Sequence, residues 1–198
     1  PQLVNELKER GVRIVESPEE TKKDETLVIR SHGVAKAVTD EAAASGVKTV
    51  DATCPFVAKI HGIVSAAGRD GYVTLIAGDP DHQEVMGIVG HCTGEAYVFK
   101  TPQEIGEFLE NKEKTGKKPV ILVAQTTFNA KIFEECKKNL KKVYTNAKIF
   151  DTICNATSMR QQEARELSRR NDVMVVIGGR HSSNTAKLFD VCRENCGR

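Results

Sequence analysis

Two cysteines occupy the same place in two similar segments of the sequence. Cys54 ends the segment Val-Asp-Ala-Thr-Cys, and Cys154 ends the segment Phe-Asp-Thr-Ile-Cys, 100 residues later. Each cysteine follows an apolar run that predicts a buried strand and precedes a pattern that predicts a helix. A thiol at a helix N-terminus is favoured as the thiolate, which is the form that ligates metals. The sequence therefore predicts two metal-ligating thiols, with two buried structural cysteines as the alternative.

Polar side chains follow other predicted strands in the same way. Because the carboxyl ends of parallel strands meet at one edge of a sheet, we expect these groups to converge near the two thiols. Imidazoles, hydroxyls and the N–H groups of helix starts suit a phosphate or diphosphate, whereas Glu84 would repel an anion and is better interpreted as a proton donor. For each motif alone, a loop or helix-capping role is the alternative. The motifs are Ser31-His32-Gly33-Val34, His82-Gln83-Glu84, Gln125-Thr126-Thr127 and His181-Ser182-Ser183-Asn184.

The composition restricts the class of protein. The 29 basic and 27 acidic side chains nearly cancel, and the basic run at 137–142 predicts the solvated face of a helix and no nucleic-acid site. No run approaches the roughly 18 apolar residues of a membrane span, and the first residues lack a signal-peptide core. We therefore expect a cytoplasmic protein that does not associate with membranes.

The other cysteines are predicted to be structural. Six cysteines in a cytoplasmic chain argue against disulfides and leave buried filler, reactive thiol or metal ligand as their uses. An i, i+4 pair on a helix is more often packing than a metal site, and the remaining two have no partner pattern. These four residues are Cys92, Cys136, Cys192 and Cys196.

Strand and helix patterns alternate along the chain. Short runs that are apolar on both faces, separated by longer helical patterns, predict a parallel sheet covered by helices, so the predicted fold class is α/β. Strands are predicted at 12–15, 26–29, 47–50, 72–77, 96–99, 120–124, 148–150 and 173–177. Helices are predicted at 2–10, 35–45, 55–68, 82–89, 102–112, 129–143, 155–170 and 183–196.

A second landmark repeats at the same offset as the cysteines. The segment at 75–78, Leu-Ile-Ala-Gly, is echoed by Val-Val-Ile-Gly at 175–178. Two landmarks at one offset predict duplicated α/β units, which we place at 46–146 and 147–198, with 1–45 as the remnant of a further unit. A helical pattern that starts at residue 2, and another that runs to the last residues, also predict that the chain is a fragment.

Six segments together resemble the 4-hydroxy-3-methylbut-2-enyl diphosphate reductase family, in that family's order and spacing. The resemblance implies three α/β units in a pseudo-threefold trefoil around a 4Fe–4S cluster, of which this chain would hold two and part of the third. It also implies reductive dehydroxylation of that substrate to isopentenyl and dimethylallyl diphosphate, in the non-mevalonate route to isoprenoids. The segments are RSHGV (30–34), DATCPFVAKIH (51–61), HQEVMG (82–87), AQTTF (124–128), DTICNATSMRQ (151–161) and GGRHSSNT (178–185).

The resemblance also implies roles for single residues. Cys54 and Cys154 match the second and third cluster cysteines, and the first would lie before Pro1. Glu84 would deliver protons to the allylic hydroxyl, and Thr126 would help to order it. Gln125, Thr127 and Thr157 match motif positions with supporting roles. The residues implied to bind the diphosphate are His32, His82, Ser182, Ser183 and Asn184.

The electron donor would be a separate protein. The sequence has no flavin or nicotinamide fingerprint, so the resemblance implies a ferredoxin or flavodoxin as partner. Three readings compete with the reductase: another three-unit iron–sulfur enzyme such as a quinolinate synthase, a cluster-free binding remnant, and a structural zinc site at the two cysteines. The first does not explain the HQEVMG and HSSNT segments, and the last would need two further ligands.

Overall fold

Parallel strands and helices alternate along the chain, as the apolar runs predict. The structure is a computed structural model that describes residues 2–110 and 118–196. Its strands are β1 (Thr26–Ile29), β2 (Lys48–Asp51), β3 (Val73–Ala77), β4 (Ala96–Phe99), β5 (Val120–Ala124) and β6 (Lys148–Ile149). Its α-helices are α1 (Gln2–Glu9), α2 (Lys36–Ala44), α3 (Pro55–Arg69), α4 (Gln83–Val89), α5 (Pro102–Glu110), α6 (Ala130–Val143), α7 (Asn155–Ser168) and α8 (Ser183–Arg193).

The strands form two parallel sheets. β1 pairs with β2, and the other four strands form a sheet in the order β4-β3-β5-β6. In the centre of the larger sheet, Leu75 of β3 is in register with Leu122 of β5. The α/β class and the parallel pairing predicted from the sequence are confirmed.

The core has one layer on each face of the larger sheet. Leu75 and Leu122 face α5 and α6, where they pack with residues such as Phe133. Ile76 and Val123 face the opposite side and pack with the apolar stripes of α3 and α4. Every residue of β3 and β5 is buried, which is why these strands, apart from Thr74, are apolar along their whole length and do not alternate.

Two predicted strands are wrong. Residues 12–15 and 173–177 have no regular secondary structure, and no strand of the described residues pairs with either segment. Val175 and Ile177 are 77% and 92% exposed, so these apolar side chains have no covering layer here. An apolar run becomes a strand only where a neighbour supplies hydrogen-bond partners, and periodicity alone does not reveal that neighbour.

The predicted unit boundaries at 45/46 and 146/147 stay predictions. The pairing of β1 with β2 crosses the first boundary, and the pairing of β5 with β6 crosses the second. No helix in the described part of the chain is both long and apolar enough to cross a lipid bilayer.

Candidate functional site

Part of the predicted site lies at the carboxyl ends of the two central strands: His82 and Glu84 follow β3, and Thr126 follows β5. β4 lies on one side of β3 and β5 on the other, so the chain reverses direction across the sheet between β3 and β5. Crevices at such a switch point are where open parallel sheets bind ligands. The residue after β3 is Gly78, where a Cβ would lie 2.7 Å from Val85 Cγ2, so only glycine lets α4 pack this close to the strand end.

Glu84 is buried and held by a single partner residue. It is 2% exposed, its Oε1 accepts from the Thr126 backbone N–H at 2.6 Å, and its Oε2 accepts from Thr126 Oγ1 at 2.7 Å. Glu84 comes from α4 and Thr126 follows β5, so the pair joins the two halves of the crevice. Sequence analysis placed both residues in the site, and the structure brings their side chains into contact.

His82 caps α4 and stands next to His32. Its Nδ1 accepts from the Glu84 backbone N–H at 3.2 Å, so in the neutral ring Nε2 carries the proton and can donate it to a ligand. Burial lowers the pKa of His82 and so favours the neutral ring, while the negative charge of Glu84 opposes the shift. The ring centroids of His32 and His82 are 5.4 Å apart.

The turn that carries His32 rests on a buried histidine from α3. Gly33 has a φ of +69°, a left-handed conformation that favours glycine. A Cβ there would also lie only 2.7 Å from His61 Cε1, so there is no room for a side chain. His61 stacks on His91 with ring centroids 3.8 Å apart. Burial, with the nearby His91, lowers the pKa of His61 to about 4. Sequence analysis did not single out His61, because a histidine within an amphipathic helix has no local signal.

The Ser-Ser-Asn motif forms the start of α8. Ser182 is the N-cap, and its Oγ accepts from the Thr185 backbone N–H at 3.3 Å. Ser183 Oγ lies 3.0 Å from Thr127 Oγ1, which ties α8 to the end of β5. Asn184 Oδ1 is buried without a hydrogen-bond partner in the protein. Free N–H groups at the start of a helix of this length favour an anion.

A cavity of about 250 Å³ lies between these elements. His82, Gln125, Ser182 and Ser183 line it, and so does Lys100, which sequence analysis missed. Lys100 follows β4, and its Nζ lies 2.9 Å from Asp79 Oδ1. The only signal for it was its position after a strand end. A larger groove of about 800 Å³ runs along α5 and α6 but contains none of the strand-end motifs.

Cys54 and Cys154 are the N-caps of α3 and α7, and neither side chain makes a cap hydrogen bond. Both thiols are free and partly exposed. The Cys54 N–H donates to the carbonyl of Ser31, beside His32, at 2.9 Å. The Cys154 N–H donates to the carbonyl of Thr126 at 3.0 Å. Each cysteine is thus attached to one of the strand-end motifs of the site.

The other four cysteines are buried or hydrogen-bonded within the fold. Cys136, Cys192 and Cys196 are buried, and the Cys196 thiol lies 3.0 Å from the carbonyl of Asp172. Cys92 donates to the carbonyl of Ile88 at 3.4 Å. Burial raises the pKa of Cys92 and Cys136 to about 11, which disfavours the thiolate.

Within 2–110 and 118–196, no three His, Cys, Asp or Glu side chains converge on one metal position. Two unengaged thiols at helix starts fit two ligand positions of an iron–sulfur cluster.

The family profile described as LytB protein matches residues 1–198. The 4-hydroxy-3-methylbut-2-enyl diphosphate reductase of Caldanaerobacter subterraneus subsp. tengcongensis is 43% identical over 198 residues, which are 99% of this chain and 67% of that protein. The enzyme of the same name from Aquifex aeolicus is 39% identical over 197 residues, covering 98% of this chain and 66% of its own length. The chain therefore spans about two thirds of the length of these relatives.

Two solved structures share the fold. One, of (E)-4-hydroxy-3-methyl-but-2-enyl diphosphate reductase, has a TM-score of 0.70 and 38% identity, covering 100% of this chain and 69% of the other. The second, of the corresponding reductase from Plasmodium falciparum, has a TM-score of 0.86 at 24% identity over 97% of this chain and 60% of the other, and it supports the fold alone. Together with the full-length profile match and the relatives that are about 40% identical, these findings show that the chain belongs to the LytB protein family.

Proposed function

We propose that the chain carries the proton-delivering and diphosphate-binding part of a 4-hydroxy-3-methylbut-2-enyl diphosphate reductase. The reaction replaces the allylic hydroxyl by hydrogen, using two electrons and two protons and releasing water, and yields isopentenyl or dimethylallyl diphosphate. The observation that carries the proposal is the buried Glu84–Thr126 pair at the strand ends, next to the two histidines and the serine motif. The names of the relatives favour this reaction over that of a quinolinate synthase.

The Glu84–Thr126 pair can pass a proton in one direction. Because the Thr126 N–H occupies Oε1, the proton of the neutral acid belongs on Oε2, which faces Thr126 Oγ1. The threonine hydroxyl then accepts from Glu84 and donates to the oxygen that leaves as water. After the transfer, the N–H and the hydroxyl of Thr126 both donate to the carboxylate and stabilise it.

The diphosphate is proposed to bind at the start of α8 and beside the histidines. The neutral His82 ring presents Nε2–H, and the N–H groups at the start of α8 add further donors. His32, Ser182, Ser183 and Asn184 are proposed to complete the set. Binding of this remote group holds the carbon skeleton in one orientation for proton transfer.

Cys54 and Cys154 are the residues proposed to hold an iron–sulfur cluster. Their thiols are the ones that the fold leaves unengaged, and this supports the assignment. When bound, a cluster of this kind supplies electrons and an iron open to the substrate oxygen. We propose a ferredoxin or flavodoxin as the source of the electrons.

Turnover by the complete gene product tests the proposed function. We expect the protein, with its cluster assembled anaerobically, to convert the substrate to both diphosphate products when dithionite-reduced methyl viologen supplies electrons. The products are measured by mass spectrometry. Absence of product from a cluster-loaded protein, in an assay in which the Aquifex aeolicus enzyme is active, would reject the proposed reaction, and failure to assemble a cluster would favour the cluster-free binding remnant.

Replacing His82 by Asn separates its role as the N-cap of α4 from its proposed role as a donor to the diphosphate. Asparagine is a good N-cap and keeps the bond to the Glu84 N–H, but it removes the imidazole Nε2–H. Since hydrogen bonds to charged groups are strong, we expect the KM for the substrate to rise about tenfold to 100-fold with the unfolding midpoint little changed. An unchanged KM in His82→Asn would remove His82 from the diphosphate site.

A further inference from the structure

The buried amide of Gln125 connects three segments around the cavity. Gln125 is 1% exposed and follows β5. Its Oε1 accepts from the Asp79 backbone N–H at 3.2 Å, and its Nε2 donates to Thr127 Oγ1 at 3.1 Å. Nε2 also donates to Ser183 Oγ at 3.4 Å. The family resemblance implied only supporting roles for Gln125 and Thr127, without a mechanism.

The orientation of the Gln125 amide is fixed by its neighbour. A backbone N–H only donates, so the amide atom that faces Asp79 N must be the oxygen. The amide nitrogen then points towards Thr127 and Ser183 as a donor. Because the side chain is buried, water does not offer it a competing orientation.

The fixed amide donates to two hydroxyls that also bond each other. Nε2 donates to Thr127 Oγ1 and to Ser183 Oγ, and these two oxygens lie 3.0 Å apart. Each hydroxyl has one proton, so their mutual bond uses one proton and leaves the other for a further acceptor. Ser183 lines the cavity and Thr127 does not, so a phosphate oxygen there favours the arrangement in which Thr127 donates to Ser183 and Ser183 donates to the ligand.

We propose that Gln125 is a positioning residue that, by donating to Thr127 and Ser183, directs the Ser183 hydroxyl proton to a phosphate oxygen. The inference rests on the proposed function and deepens it, since it explains how a neutral hydroxyl selects an anion. A ligand group that itself donates a hydrogen bond would have to compete with Gln125 and Thr127 for the acceptor positions of Ser183. The relay Gln125–Thr127–Ser183 thus favours an anion at this corner of the cavity.

Gln125→Glu tests the relay by reversing it. The carboxylate keeps the bond from the Asp79 N–H, but its second oxygen only accepts, so Thr127 and Ser183 must turn their protons towards it. We expect binding of inorganic pyrophosphate to the complete, cluster-loaded protein, measured by calorimetry, to weaken at least about tenfold. Gln161→Glu is the matched control, because Gln161 is equally buried but bonds Ala130 N and Phe128 O outside the cavity, and it should bind pyrophosphate normally.

A double-mutant cycle with Ser183→Ala separates the relay from charge repulsion. The added charge of Gln125→Glu acts whether or not Ser183 is present, whereas the relay acts only through its hydroxyl. We expect the penalty of Gln125→Glu to be at least about fivefold smaller in the Ser183→Ala background. Equal penalties in both backgrounds would overturn the proposal, as would normal binding by Gln125→Glu or failure of the unchanged protein to bind pyrophosphate.

A second variant covers the case in which Gln125→Glu does not fold. If Gln125→Glu does not fold, Gln125→Met replaces it, because it removes both donors without adding charge, and its penalty should likewise shrink in the Ser183→Ala background. Pyrophosphate binding needs no turnover. A coupled cycle in a protein that fails to convert the substrate would therefore support the relay and reject the proposed reaction, while turnover without coupling would do the reverse.

Discussion

Glu84→Gln is expected to lower kcat by about 10²-fold to 10⁴-fold in the complete, cluster-loaded protein, because positioned general acids contribute about this much. The substitution removes the only proton source in the Glu84–Thr126 pair. Substrate binding and cluster absorbance should stay as they are. The measurement is steady-state turnover with a chemical reductant, together with the absorbance of the bound cluster.

The geometry explains why glutamine is the right replacement. Its amide oxygen can accept from the Thr126 N–H, and its NH₂ group can donate to Thr126 Oγ1, so the shape and both hydrogen bonds of the buried pair are kept. Only the transferable proton is lost. A fall in kcat without a rise in KM would show that the missing interaction acts in the transition state.

The matched control is an exposed glutamate. Glu95 pairs with Lys118 at the protein surface, and Glu95→Gln makes the same chemical change at the amino end of β4, on the edge of the sheet opposite to the site. Its turnover should equal that of the unchanged protein. If Glu84→Gln also turned over at the normal rate, the proton donor would have to be another group, although membership of the LytB family would be unaffected.

The sequence predicted the parts of the fold that depend on local pattern. β3 and β5 are almost entirely apolar because both of their faces are covered, so the apolar runs predicted two buried strands. Residues 173–177 carry a similar run but form no strand here, because strand pairing depends on a neighbour that the run does not encode. The helix starts at Cys54 and Ser182 were also predicted closely, since Pro55 and the serine itself are local signals.

The site was predicted as a set of positions, but its connections were not. Strand-end motifs indicated that Glu84 and Thr126 would be near each other, because parallel strands end at one edge. The pattern did not show that the Gln125 amide donates to Ser183, because its orientation is fixed by the backbone N–H of Asp79. The position of Lys100 beside the cavity likewise depends on its ion pair with Asp79, which lies 21 residues earlier in the sequence.

Replacing either Cys54 or Cys154 by serine is expected to abolish the absorbance of the cluster and all turnover. A serine hydroxyl stays protonated at neutral pH and is a poor substitute for a thiolate on iron. Absorbance spectra and iron analysis after anaerobic assembly of the complete gene product provide the measurement. The effect should be close to complete for each cysteine, because each would be the only ligand from its segment.

The fold should survive both substitutions, which separates ligand loss from unfolding. Each cysteine is the N-cap of a helix and makes no cap hydrogen bond, while serine is among the residues preferred at this position. The cluster-free Cys54→Ser and Cys154→Ser proteins should therefore unfold at the same midpoint as the cluster-free parent or slightly above it. Cys92→Ser is the control, since Cys92 bonds the carbonyl of Ile88 and a hydroxyl can do the same. Normal cluster absorbance in Cys154→Ser, or its loss in a folded Cys92→Ser protein, would contradict the assignment of the ligands.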